Sequence, residues 1–180
     1  VSPPSDPEPL LRFLTERAAK SSSQAMQSEL NALLDGDLPL PAEEQNQLVS
    51  AFIPIVYGCS HACTYCIIPA KRGIEHSRPY SEILKEASSL AKQGVKEVTL
   101  LGQNVNSYDD GENSFADLMY KASQVDPEMR IRFSSPHPKD FPEELLEVIA
   151  EQPNLCNYIH IPAQSGNNDV LERMRRPYTR

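Results

Sequence analysis

The chain predicts an α/β fold built on a parallel sheet, on two observations. From residue 49 onward, short apolar runs rich in β-branched residues alternate with segments of helical periodicity, the order of strands joined by crossover helices. The glycine-, proline- and polar-marked loops fall directly after the strand-like runs, where parallel α/β sheets collect their reactive groups.

Taken in order, residues 49–56 read as a first strand, stopped by Tyr57-Gly58. Ser81 is expected to cap a helix running to residue 93, with Ile83, Leu84, Ala87, Leu90 and Ala91 as its apolar stripe and Gly94 as its stop. Residues 97–101 form the second strand, followed by the loop Gly102-Gln103-Asn104-Val105-Asn106. Ser114 and Asp117 have capping-box spacing for a helix reaching residue 124. Residues 131–134 form the third strand, and Asp140 with Glu143 caps a third helix that has Pro142 in its first turn and ends near residue 151. Residues 157–161 complete the set as a fourth strand, followed by a helix over 167–175. Four β/α units give a curved sheet and not a closed barrel.

Residues 1–48 read differently. A proline- and acid-rich start precedes two short amphipathic stretches, 10–19 and 24–34, and a proline-marked linker. Helical stripes of this kind are packing surface, and no chemistry is legible there. The expected organisation is a poorly specified segment over 1–48 and an α/β core over 49–180.

The net charge of −8 argues against nucleic-acid binding by the whole surface. An RNA partner would need a local basic patch. Lys71, Arg72 and Arg78 offer one, and Arg173, Arg175, Arg176 and Arg180 another. No apolar run approaches membrane-spanning length, and no secretory leader pattern opens the sequence. Free thiols in a ligand motif fit a reducing compartment, the cytoplasm or an organelle matrix.

Cys59, Cys63 and Cys66 stand in one eight-residue stretch after the first strand. A disulfide framework is a poor fit to four cysteines with no secretory segment. Zinc wants four ligands, which His61, His76 or the distant Cys156 could complete. An iron–sulfur cluster commonly takes four thiolates. Three on one loop would hold three corners of a cubane and leave one iron open to chemistry. The competing reading is a non-catalytic zinc or iron–sulfur module that only holds a loop. Cys156 alone reads as a small buried side chain, and His137, between two prolines, reads as a structural hydrogen-bonding residue.

The CxxxCxxC spacing, with Tyr65 before the third cysteine, resembles the radical S-adenosylmethionine (SAM) superfamily. Cys66-Ile-Ile-Pro69, Arg72-Gly73, Ser77-Arg78-Pro79, the 100–106 stretch Leu-Leu-Gly-Gln-Asn-Val-Asn, the 132–138 stretch Arg-Phe-Ser-Ser-Pro-His-Pro and the 160–166 stretch His-Ile-Pro-Ala-Gln-Ser-Gly are similar to its methylthiotransferases. Their order and spacing resemble the tRNA-2-methylthio-N6-dimethylallyladenosine synthase branch, over residues 49–180. The resemblance implies a partial (β/α) barrel of six units, of which about four are present here.

The same resemblance implies a 4Fe–4S cluster on Cys59, Cys63 and Cys66, with SAM chelating the open iron. It puts Tyr65 near the cofactor adenine and the Gly102, Gln103 and Asn104 loop near the methionine amino group. Ser135 and Gln164 join them as cofactor-binding candidates. On residue chemistry alone, Tyr65 could equally pack under the loop, Gly102 to Asn104 could be a plain turn, and Ser165 or Asn167 could simply cap a helix. The implied reaction is radical methylthiolation of an isopentenyl-modified adenosine beside the anticodon, with tRNA as partner and a flavodoxin or ferredoxin as electron donor. Another tRNA adenosine or a ribosomal protein is the alternative substrate. The family carries a second 4Fe–4S cluster on an N-terminal domain with three further cysteines, and an RNA-binding C-terminal domain. Residues 1–48 hold no cysteine. The expectation is therefore an internal fragment that cleaves SAM reductively but yields no methylthio product.

Overall fold

Along residues 50–54 the side chains alternate between solvent and core, with Ala51 and Ile53 inside, as a strand buried on one face requires. The computed structural model describes residues 49–180, so the helices and linker expected in 1–48 lie outside the described residues. Within that span the strands are β1 (Ser50–Pro54), β2 (Val56–Tyr57), β3 (His76–Ser77), β4 (Glu97–Leu101) and β5 (Arg130–Phe133). β1, β4 and β5 form a parallel sheet in that order, with Ile53 opposite Leu100 and Leu100 opposite Phe133.

The helices are α1 (Ile68–Arg72), α2 (Tyr80–Lys92), α3 (Phe115–Ser123), α4 (Glu143–Glu151) and α5 (Asn168–Arg173). Short 3-10 turns stand at Val105–Ser107 and Pro138–Asp140. α2 packs on β1 and α3, and α3 packs on β5 and α4. Ala51, Ile53, Val98, Leu100, Ile131 and Phe133 bury one sheet face against Ile83, Ala87, Phe115, Leu118, Met119, Leu145 and Ile149. Each large side chain among them contributes about 1.5–3 kcal/mol by leaving water. The opposite face carries Phe52, Thr99 and the Arg132–Glu97 pair at 2.8 Å. The sheet therefore has one dry face and one polar face.

The expected first strand is divided. Ile55 N–H still donates to Leu101 O at 2.8 Å, but Val56 and Tyr57 turn away to pair antiparallel with β3. Pro54 offers no N–H to carry the ladder on. This small ribbon, invisible to periodicity because it is two residues wide, sets where the cysteine loop leaves and returns.

Two expected caps are wrong. Ser81 lies inside α2, whose N-cap position is Pro79 with no side-chain cap bond. The Tyr80 N–H donates instead to Asp110 Oδ2 at 3.0 Å, from a loop 30 residues away. Asp140 does not cap α4, whose N-cap is Pro142, again without a side-chain bond. Its carboxylate is held by His61 and Asn104. Other signals hold. Ser114 and Asp117 form both bonds of a capping box on α3, Asn167 Oδ1 accepts from Val170 N–H at the start of α5, and Gly94 at φ 86° ends α2. There Val95 N–H reaches Leu90 O and Gly94 N–H reaches Ala91 O, the Schellman pattern.

The fourth strand does not form over 157–161. A single parallel bridge joins Leu155 to Ile131, with Cys156 N–H donating to Ile131 O at 3.1 Å. Beyond it, Tyr158 and Ile161 are exposed, so no burial draws the segment along β5, and Pro162 lacks a donor. Cys156 is half-buried rather than buried.

Candidate active site at the strand ends

The cysteine loop starts at Gly58, whose φ of 70° and surroundings admit no side chain, since a Cβ there would run into the Ile74 and Gly73 carbonyls. Cys59 N–H donates to Gly73 O at 3.2 Å and Cys66 N–H to Cys63 O at 3.1 Å, closing the loop on itself. All four cysteines are free thiols; Cys59 is buried, Cys63 half-buried and Cys66 exposed. Burial pushes the Cys59 thiol above its ordinary range, and the carboxylate of Glu75 and the other two thiols add to this. A hydrogen bond from the His61 backbone N–H works the other way. Cys59 is therefore a protonated thiol unless a metal takes the proton's place.

The rim of the loop is tied to the end of the chain. Thr64 N–H donates to Met174 O at 3.2 Å and Thr64 Oγ to Arg173 O at 3.0 Å. Tyr65 is exposed, not packed under the loop. Its hydroxyl accepts from the Arg176 guanidinium at 2.6 Å, and that guanidinium lies over both the Tyr65 and Tyr178 rings.

Loops from the other strand ends meet this one. After β4, a Cβ on Gly102 would sit 3.1 Å from the Val56 side chain and 3.2 Å from the Val105 backbone, so this glycine serves close packing of the protein on itself. Asn104 is buried, and its Nδ2 donates to Asp140 Oδ2 at 3.0 Å. Its Oδ1 and the Gln103 Oε1 are buried without a hydrogen-bond partner among the described residues. After β5, Ser135 adopts φ 60°, and its carbonyl accepts from Val105 N–H at 3.3 Å. Gln164 adopts φ 66° in the loop before α5. Non-glycine residues in this region are uncommon and collect at functional sites.

His137 is buried, as a structural histidine should be. Its backbone N–H donates to Asn106 Oδ1 at 2.6 Å, Asn106 Nδ2 donates to its carbonyl at 3.0 Å, and its Nδ1 accepts from Lys139 N–H. Burial, then the neighbouring His61 and Arg176, lower its pKa to about 4, so it is neutral at physiological pH. Its ring stacks on His61 at 4.1 Å between centroids. Asp140 is pulled up by burial, but hydrogen bonds from Asn104 and His61 outweigh this and hold it below the usual carboxylate range.

One expected basic patch is smaller than the sequence implied. Arg78 is consumed by Glu86 at 2.9 Å and Pro54 O at 2.7 Å, leaving Lys71 and Arg72 at the end of α1. Arg173, Arg175 and Arg180 are exposed, while Arg176 is turned onto Tyr65. Residue spacing alone missed the anchoring roles of His61, Asp140, Asn106 and Arg176. A histidine placed between two motif cysteines was the available signal, while nothing local separates Arg176 from its arginine neighbours.

The donor set suits an iron–sulfur cluster. Three free thiols share one tight loop, and two orphaned amide oxygens, both acceptors, belong to the neighbouring strand-end loop. Any N–H or O–H donor, an ammonium among them, complements such acceptors.

Comparison with known proteins agrees. The sequence pattern of the radical SAM superfamily matches residues 53–180, and the chain belongs to that superfamily. The fold resembles the radical S-adenosylmethionine methyltransferase TsrM from Kitasatospora setae, solved with tryptophan and a SAM analogue, at a TM-score of 0.58 and 20% identity over 76% of this chain and 27% of that one.

Within the superfamily the chain is similar to tRNA methylthiotransferases. It is 57% identical over 134 residues to the tRNA-2-methylthio-N(6)-dimethylallyladenosine synthase of Chloroherpeton thalassium, covering 73% of this chain and 30% of that protein. It is 47% identical over 167 residues to the mitochondrial tRNA methylthiotransferase CDK5RAP1 of Rattus norvegicus, covering 78% of this chain and 28% of that protein. The chain thus spans about three tenths of the length of these curated relatives. Proteins of the superfamily use a 4Fe–4S cluster and SAM.

Proposed function

We propose that residues 49–180 are the cluster- and SAM-binding core of a tRNA methylthiotransferase, in which Cys59, Cys63 and Cys66 ligate a 4Fe–4S cluster. The observation that carries this is three free thiols on one loop, set beside the loops that follow β4 and β5. The parallel sheet with helices on one face supports a partial (β/α) barrel built of more units than the three strands formed here. Residues 1–48 are a separate segment in this reading.

Cys59, Cys63 and Cys66 would hold the cluster, which would supply one-electron reducing chemistry toward a bound sulfonium. The residues of the chain do the rest by placement. Gly58 lets the loop turn, and the His61 backbone N–H stabilises negative charge on Cys59. Gln103 and Asn104 present neutral acceptors, which can hold an ammonium without altering its charge. The strained backbones of Ser135 and Gln164 fix two further polar loops for contact with the cofactor. Tyr65, held by Arg176, offers an aromatic face for an adenine.

The substrate of this reading is an isopentenyl-modified adenosine next to the tRNA anticodon, with a flavodoxin or ferredoxin as electron donor. The names of the relatives support tRNA, and the exposed arginines near α5 supply local positive charge. Reactive thiols support a reducing compartment for this reading, the cytoplasm or an organelle matrix. No helix among the described residues is long and apolar enough to cross a membrane.

The test is turnover without RNA. The anaerobically reconstituted chain, given SAM and a strong one-electron reductant, is expected to form 5′-deoxyadenosine and methionine. Replacing any one of Cys59, Cys63 or Cys66 by Ala is expected to abolish both products. Unchanged product from the Cys59→Ala variant would contradict the assignment.

A further inference from the structure

His61 sits in the middle of the cysteine loop, two residues from Cys59 and two from Cys63. Its side chain does not join theirs. It reaches across to Asp140, with Nε2 2.9 Å from Oδ2 and both side chains about three-quarters buried or more (20% and 26% exposed). The same carboxylate oxygen accepts from Asn104 Nδ2 at 3.0 Å. His61 follows β1, Asn104 follows β4 and Asp140 follows β5. One oxygen atom therefore pins together the loops after three neighbouring parallel strands, across 79 residues of sequence in one case and 36 in the other.

The chemistry fixes the proton. An ionised carboxylate only accepts, so the His61 Nε2 carries the hydrogen. The 3.2 Å approach of Asn104 Nδ2 to that nitrogen is then a contact of two donors sharing one acceptor. From below, His137 stacks on the imidazole with the planes 13° apart, and Asn106 clamps the His137 backbone on both sides. The His61 ring is held by Asp140 at its edge and by His137 on its face.

A cation site is the competing reading, since ligand atoms of His61, His137 and Asp140 lie within 4.8 Å of one another. The geometry argues against it. Ring nitrogens donate in the plane of the ring, and two imidazoles stacked nearly parallel point their lone pairs side by side, not toward one ion. The Oδ2 facing them is already shared by two N–H donors.

We propose that Asp140 is a positioning residue for the iron–sulfur loop: by gripping His61 it sets the geometry of the Cys59–Cys63 segment before the cluster arrives and resists its opening afterwards. This rests on the reading that those cysteines hold a cluster. A loop held at its centre loses less conformational freedom on taking up metal; groups bonded directly to metal ligands are worth about 10–100-fold in affinity, an upper bound for Asp140, which holds the loop through His61.

The experiment uses the 180-residue chain as wild type, Asp140→Ala, His61→Ala and the double variant, reconstituted anaerobically with iron and sulfide. Iron per chain, the rate of iron loss to a ferrous chelator and the thermal midpoint of each apo chain are measured. Asp140→Ala is expected to lose iron several-fold faster than wild type, below the roughly 100-fold ceiling for a group bonded directly to a metal ligand. His61→Ala should also lose iron faster, and the double variant should fall short of the product of the two single effects, because both changes remove the shared His61–Asp140 contact. A purely structural Asp140 would lower the apo midpoint and add to the His61 effect.

Iron loss equal to wild type in Asp140→Ala, or effects that multiply in the double variant, overturns the inference. Asp140→Asn keeps the shape and one acceptor, so it is expected to fall between wild type and Asp140→Ala; should the alanine variant not fold, an asparagine variant with wild-type iron loss also overturns it. A wild-type chain that takes up no iron overturns the cluster reading itself, an outcome visible before any variant is compared.

Discussion

Gly58 is the residue on which the site depends most sharply without touching any ligand. Its φ of 70° is costly for any L side chain, and the Gly73 and Ile74 carbonyls occupy the space a Cβ would take. The backbone term alone is about 1–2 kcal/mol, and the clash must be relieved by moving the return strand of the loop. Gly58→Ala is therefore expected to destabilise the loop by about 2 kcal/mol or more, with loss of most cluster binding while the far-UV circular dichroism stays near wild type. Full iron content in that variant would contradict this account. The three thiols were legible in the sequence because ligand spacing is local. Their supports were not. His61, Asp140 and Asn104 come together only through tertiary structure, and Asp140 carried a competing local signal, since a residue three before Glu143 has the spacing of a helix cap.

Among the elements, α2 shows how a helix start can be supplied from elsewhere. Asp110 accepts from the Tyr80, Glu112 and Asn113 backbone N–H groups and from the Asn113 side chain. The Tyr80 bond contributes most to lowering its pKa from 3.8 to about 2; loss of solvation, the next largest effect, opposes it, and the Asn113 and Glu112 bonds add to the lowering. A carboxylate depressed on folding stabilises the fold above its unfolded value, and that stabilisation is lost as pH falls through the folded value. Asp110→Ala is thus expected to lower the melting temperature at neutral pH, and the gap to wild type should shrink as pH drops from 3.8 toward about 2. A gap independent of pH in thermal melts would contradict this. β4 and α3 were readable because their own residues decide them: Glu97–Leu101 alternates cleanly and α3 carries its own capping box. The start of α2 and the segment after Leu155 were not, because a distant carboxylate decides one and the absence of burial along β5 decides the other.

At the scale of the whole molecule, the described core has a dry sheet face that builds stability and a cluster of strand-end loops that builds the site. The opposite face carries Phe52, Thr99 and the Glu97–Arg132 pair. The loops converge because parallel strands all end on the same side. Three of them are joined by a single carboxylate, while the chain end returns through Thr64 and Arg176 to brace the rim. The site is thus a property of the assembled sheet, although its three thiols come from eight consecutive residues. The most direct test is electron paramagnetic resonance of the reduced, anaerobically reconstituted chain before and after SAM is added. A 4Fe–4S signal that changes on addition of SAM is the predicted result, since three thiolates leave one iron for the ligand. A signal indifferent to SAM, or a chain that binds zinc tightly and no iron, would contradict the central claim.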